Sequence, residues 1–254
     1  MELKILCLYP NIMDLYGDNG NIEILKYRCS KRNIDVYVDS YTINEEEPNF
    51  EDYDLVFLGG GSDKEQRIVA KDLIKYKDKI KTSIKEGVFY LLICGGFQLF
   101  GKYYKDSENN ILDGLNIFDY YTEASTDKTK RCIGNIIIES NINDEQIKIV
   151  GFENHGGQTY DIDNPFGKVL YGNGNTFENE YEGIFDNNVI GTYLHGPLLS
   201  KNPKLADYII KYCLDRKYKK NTKLKELDDT FELKAKEEIL NRFLTKSNVW
   251  YFFL

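Results

Sequence analysis

The chain has 254 residues, 42% of them hydrophobic, with 41 acidic and 33 basic side chains and a net charge of −8. That length and balance suit one large α/β domain with a sizeable core, or one domain and a tail. The negative charge argues against a nucleic-acid surface as the main business, and no apolar run approaches the roughly 20 residues of a spanning helix. Five dispersed cysteines without a Cys-x-x-Cys argue against a disulfide framework or zinc ribbon and point to a reducing cytoplasm. Met1 to Pro10, with Glu2 and Lys4, runs straight into a strand pattern, unlike a signal peptide.

Leu3 to Tyr9 reads as a first buried strand, followed by the glycine- and Asx-rich loop Leu15-Tyr-Gly-Asp-Asn-Gly-Asn21. Ile22 to Arg32 has helical spacing, Ile34 to Tyr41 alternates as a strand, and Asn44 to Asp52 is an acidic loop. Asp54 to Leu58 is a third strand, closed by Gly59-Gly60-Gly61, and Ser62 is a plausible N-cap for two helical segments reaching Glu86. Val88 to Ile93 is apolar without alternation, as in a strand buried on both faces, and Phe97 to Phe100 read as the start of a helix. This alternation is the rhythm of a doubly wound sheet.

The second half differs. Leu115–Tyr120, Arg131–Glu139, Ile147–Glu153 and Lys168–Tyr171 look like strands without intervening helices, implying added, partly antiparallel structure. Val189 to Leu194 is a further strand and Pro203 to Arg216 a helix. Asp229 to Lys246 carries one apolar stripe (Phe231, Ala235, Ile239, Phe243) and reads as an amphipathic helix, with an apolar Val249–Leu254 end too short to span a membrane. The expected division is a domain over 1–216 and a helical extension over 217–254.

Chemistry concentrates after the fourth strand. Cys94 follows it directly and precedes Gly95 and Gly96. A sharp strand-to-helix turn at the carboxyl end of a parallel strand exposes a nucleophile, and the helix N-terminus favours its thiolate. A buried structural cysteine is the alternative, but a plain core strand has no need of the Gly-Gly. A thiol nucleophile needs a base, and there are only two histidines, His155 and His195. His195, ending a late strand, is the better candidate, and His155 fits a polar loop equally well. Oxyanion donors could come from the amides of Gly95 and of Gly60 or Gly61. No His-x-x-His or Cys-His cluster exists in the sequence, so no metal is expected.

Leu92-Ile-Cys-Gly-Gly-Phe-Gln98, with Gly59-Gly-Gly61 and Gly191-Thr-Tyr-Leu-His-Gly196, resembles the class I (triad-type) glutamine amidotransferases, in their cobyric acid synthase-like branch. Within that branch, four stretches resemble the glutaminase subunits of lipid II isoglutaminyl synthases. They are Leu15-Tyr-Gly-Asp-Asn-Gly-Asn-Ile22, Arg131-Cys-Ile-Gly-Asn135, Gly151-Phe-Glu-Asn-His-Gly-Gly157 and Tyr171-Gly-Asn-Gly-Asn175. The resemblance covers about Leu3 to Arg216. It implies a flavodoxin-like α/β fold in which Cys94 attacks the glutamine side chain and His195 is the acid–base. It also implies Arg131, and more weakly Gln98, as substrate contacts. The released ammonia would serve a Mur-ligase-like partner in a heterodimer, with ATP and magnesium held by that partner and no cofactor here, for amidation of D-glutamate in lipid II. A corrinoid carboxylate as acceptor, a non-catalytic glutamine-binding module and a different cysteine hydrolase are the competing readings.

The sequence departs from many class I members in having Pro197, not glutamate, two residues after the histidine. The orienting carboxylate is expected from the partner, with Asp14 and Asp18 of the first loop as alternatives within the chain.

Overall fold

The computed structural model describes residues 1–127, 129–178 and 180–245. β1 (Glu2–Leu8) leads through a turn at Leu15–Gly17 into α1 (Gly20–Ser30), then β2 (Asp35–Tyr41) and β3 (Leu55–Leu58). α2 (Asp63–Leu73) and α3 (Lys77–Lys85) follow, with the backbone amide of Ser62 donating to Glu65 (2.6 Å) at the start of α2, then β4 (Phe89–Ile93) and the short α4 (Gly95–Leu99). The small strands β5 (Tyr103–Lys105), β6 (Ile111–Asp113) and β7 (Tyr121–Ala124) precede the long hairpin of β8 (Cys132–Ile142) and β9 (Glu145–His155). Then come β10 (Gly157–Tyr160), β11 (Gly167–Tyr171), β12 (Tyr181–Glu182), β13 (Ile184–Asp186), β14 (Val189–Thr192), α5 (Pro203–Tyr218) and α6 (Thr230–Leu240).

The main sheet has the order β13-β14-β4-β3-β1-β2. Five of its strands, β1 to β4 and β14, are mutually parallel, and β13 adds an antiparallel edge. This is the flavodoxin-like doubly wound arrangement, which presents ligands at the carboxyl ends of its strands. β3 and β4 are fully buried, explaining their unbroken apolar runs, whereas β2 is an exposed edge. Two four-stranded sheets, β10-β7-β5-β6 and β12-β11-β8-β9, form the added region.

Three expectations need correction. Leu115–Tyr120 is not a strand: its chain wraps the end of α4, with Leu115 N–H on Leu99 O (2.7 Å) and Ile117 N–H on Phe100 O (3.1 Å). His155 is no loop residue but the buried last residue of β9. The apolar stripe of α6 does not face the core: Phe231 is 84% exposed and no residue of the helix is fully buried. Instead the segment is held at its ends, by Asp229 on Arg28 (2.6 Å) and by the Phe243 ring on Tyr171 (4.6 Å). The stretch 249–254 lies outside the described residues. Among the described residues, no helix is long and apolar enough to cross a membrane.

Candidate active site

Four strand ends of the main sheet converge: the loop after β1, the glycines after β3, Cys94 after β4 and His195 after β14. Cys94 has φ +48°, ψ −103°, a backbone region costly for a side chain and used where a residue must be presented sharply. Its amide is fixed by Thr192 O on β14 (2.7 Å), and its carbonyl starts α4 by accepting from Gln98 N–H (2.9 Å). Gly60 packs between the two reactive groups. A Cβ there would meet His195 Cε1 at 2.9 Å, Asp18 Oδ2 at 3.1 Å and Cys94 Cβ at 3.3 Å, so only glycine lets them approach.

His195 is buried, and its backbone is anchored to β9 by reciprocal bonds with Phe152, 2.8 and 3.2 Å. Its Nδ1 lies 2.9 Å from Asp18 Oδ1 and 3.1 Å from Oδ2. Asp18 is fully buried and also accepts the Gly60 amide (2.9 Å). Burial works against a charged ring. Hydrogen bonding and the charges of Asp18 and Cys94 outweigh it and push the His195 pKa up to about 10. The imidazolium therefore persists through the neutral range and is lost only as pH rises through that value. An imidazole oriented by a carboxylate beside a cysteine is the arrangement of a nucleophile with its acid–base partner.

Asp18 overturns the expectation that the orienting carboxylate comes from a partner. Asp14, the other candidate, is exposed and instead accepts the Asn19 amide (2.7 Å). The departure at Pro197 also acquires a reason. Pro197 packs on Gly20 at the start of α1, where a Cβ would lie 2.3 Å from the proline Cγ. The position two residues past the histidine thus seats the helix, while the carboxylate arrives from the loop preceding it.

A second correction concerns the oxyanion donors. The Gly60 N–H is taken by Asp18, which leaves Gly61 and Gly95 as the amides of the expected set not engaged in that bond. Gly61, with Cys94, lines a cavity of about 720 Å³. Arg131 and Gln98 line the same cavity. Arg131 is exposed, with Nε and Nη2 both on Asn154 Oδ1 (3.1 and 2.9 Å). Gln98 is buried, and its Nε2 donates to the Tyr193 hydroxyl (3.0 Å).

His155 lines this cavity as well, and beside it lie two buried acids, Glu153 and Glu182, to which sequence reasoning assigned no role. The His155 ring stacks on Tyr193 with centroids 3.6 Å apart and planes 8° from parallel, and its Nδ1 is 2.7 Å from Gly157 O. Burial opposes ionisation of Glu153, but His155 and the amides of Asn173 and Gly174 hold its pKa below the usual carboxylate range. Glu182 is the opposite case. Burial pushes its pKa up to about 8, although it accepts from Tyr193 N–H (2.6 Å) and the Thr192 hydroxyl. Among the described residues one group could hold a metal: Cys132, Glu153 and His155, buried, with ligand atoms within 4.8 Å of one another. It arises because Cys132 and His155 are cross-strand partners in the β8–β9 register, 23 positions apart and invisible to a spacing rule.

Residues 4–203 match the model of the CobB/CobQ-like glutamine amidotransferase domain. The chain belongs to that family. The amidotransferase is 44% identical over 242 residues to the GatD subunit of lipid II isoglutaminyl synthase (glutamine-hydrolyzing) of Staphylococcus aureus, covering 95% of this chain and 96% of that one. It is 41% identical to the corresponding subunit of Streptococcus pneumoniae, covering 93% and 90%. A probable cobyric acid synthase of Methanocaldococcus jannaschii is 31% identical over 64% of this chain, which spans only 34% of that protein. Among solved structures, PurLQS from Thermotoga maritima superimposes with a TM-score of 0.56 at 15% identity, over 87% of this chain and 100% of that one, and shows the fold alone.

Proposed function

We propose that this chain is the glutamine-hydrolysing subunit of a lipid II isoglutaminyl synthase. The observation that carries the reading is the buried Asp18–His195–Cys94 array at the cavity that also holds Arg131, in a chain matching the two GatD subunits over nearly its whole length.

In this mechanism glutamine enters with its α-carboxylate on the Arg131 guanidinium and its side-chain carbonyl carbon against Cys94 Sγ. The thiolate attacks that carbon. The oxyanion forms against the amides of Gly95 and Gly61. His195 gives its Nε2 proton to the departing nitrogen, releasing ammonia and leaving a γ-glutamyl thioester. The now neutral ring takes a proton from water as that water attacks the thioester. Glutamate leaves and the thiolate–imidazolium pair is restored. Asp18 keeps the Nδ1–H pointed at itself throughout, so Nε2 always faces the sulfur. Ammonia then passes to a Mur-ligase-like synthetase, which uses ATP and magnesium to amidate the D-glutamate α-carboxyl of lipid II.

The test is to treat the chain with a glutamine-analogue diazoketone and locate the adduct. One equivalent on Cys94, blocked by glutamine, together with loss of glutaminase activity in Cys94→Ala, is the expected result. Modification spread over several cysteines and unaffected by glutamine would contradict the reading.

A further inference from the structure

Tyr16 belongs to none of the roles above, yet it touches both halves of the site. It is the middle residue of the Leu15–Gly17 turn and has φ +59°, ψ +21°. A bulky residue rarely adopts this left-handed conformation, and such strain collects where surrounding structure fixes a side chain for a purpose. Its ring meets the His195 ring edge-on (5.0 Å, 73°) and the Phe152 ring at 6.3 Å. Tyr16 is 45% exposed, whereas His195 is 1% exposed, so the phenol ring covers the histidine on its solvent side.

The hydroxyl does something separate. Asn154 Nδ2 donates to it in a short hydrogen bond, and Asn154 Oδ1 accepts from both Nε and Nη2 of Arg131. Arg131 can only donate, so the amide orientation is determined: oxygen toward the guanidinium, nitrogen toward the phenol. Asn154 therefore holds the guanidinium by its Nε–Nη2 edge and fixes its plane, with Nη1 outside these bonds. The Tyr16 hydroxyl is what the other end of that amide holds. Two residues after Tyr16 comes Asp18, so one short loop carries the group orienting His195, the ring covering it and the hydroxyl tied to the substrate arm.

We propose that Tyr16 is a positioning residue with two separable parts: a ring that seals the Cys94–His195 pair, and a hydroxyl that, through Asn154, sets the Arg131 guanidinium for the α-carboxylate of glutamine. The proposal rests on the glutaminase reading above. Loss of the hydroxyl frees Asn154 and affects glutamine capture. Loss of the ring also affects the thiolate itself.

The experiment uses the full chain and compares Tyr16→Phe, Tyr16→Ala and Asn154→Ala, with the double variant Tyr16→Phe/Asn154→Ala. Two rates are measured: glutamine hydrolysis, and alkylation of Cys94 by iodoacetamide followed by peptide mass spectrometry. Iodoacetamide lacks an α-carboxylate and does not need Arg131. Tyr16→Phe should raise KM for glutamine roughly five- to tenfold, about one hydrogen bond, with kcat and the alkylation rate within twofold of wild type. Tyr16→Ala should change the alkylation rate as well. In the Asn154→Ala background, Tyr16→Phe should add nothing to KM. An unchanged KM in Tyr16→Phe, fully multiplicative effects in the double variant, or an alkylation rate altered equally by Phe and Ala would each overturn the proposal. A wild-type chain that neither hydrolyses glutamine nor is protected by it would instead defeat the glutaminase reading, and the alkylation comparison would still read the ring.

Discussion

Two acidic residues near the nucleophile have different partners. Asp18 faces the His195 ring and accepts the Gly60 amide. Glu182 is buried behind β14 with only neutral donors, and its pKa rises to about 8. The sign of the consequence follows from proton counting. Between the ordinary carboxylate value of 4.5 and about 8, the native chain holds a proton that the unfolded chain has lost. Stability attributable to Glu182 therefore falls as pH rises through that window. Glu182→Gln keeps an oxygen for the Tyr193 amide and cannot ionise. Urea unfolding at a series of pH values should show the variant gaining on wild type as pH rises, and a constant difference would count against a neutral buried Glu182. At this scale the sequence disclosed the nucleophile and histidine clearly, because a Gly-Gly after a buried strand and a histidine ending another have few structural uses. It named Asp18 only as an alternative, because the carboxylate and the histidine are 177 positions apart and only the strand order brings them together.

Elements were legible in proportion to their length and periodicity. β1, β3, β4, β14, α1, α2 and α5 appear within a few residues of their predicted positions. β5, β6, β10, β12 and β13 have two to four residues each, too few for any period to register. Leu115–Tyr120 has strand composition but buries Leu115 and Tyr120 as a loop around α4. α6 misleads in another way: its apolar stripe is real in sequence, but the polar contacts at its start anchor the segment. Arg28 of α1, with 2% of its side chain exposed, joins Asp207 of α5 (2.7 Å) to Asp229 just before α6 (2.6 Å). Removing Arg28 strands Asp229, while Asp207 keeps its second cation, Arg32 (2.7 Å). Arg28→Ala should cost about 2 kcal/mol in denaturant unfolding, less than a fully buried pair because the aspartates are 28% and 20% exposed and Asp207 keeps Arg32. A change below about 0.5 kcal/mol would mean the extension is not held through this residue.

The molecule as a whole is a parallel sheet whose carboxyl edge gathers one contribution from each of four strands, with the β8–β9 hairpin laid across it by the His195–Phe152 bridge. The sheet supplies Cys94, His195, Asp18 and the glycine amides, and the hairpin region supplies Arg131 and Asn154. The two parts meet at one cavity, lined by Cys94 from the sheet and by Arg131 and Asn154 from the hairpin region. On the proposed reading, Asp18 within this chain is the carboxylate that orients His195. Glutamine hydrolysis by the purified chain, without any synthetase, is the direct measurement. Wild type should release glutamate and ammonia, and Asp18→Asn should lower kcat on the order of 10²- to 10⁴-fold while still folding. An inert wild-type chain that becomes active only when a partner is added, or an Asp18→Asn chain with the wild-type rate, would show that the carboxylate orienting His195 comes from elsewhere.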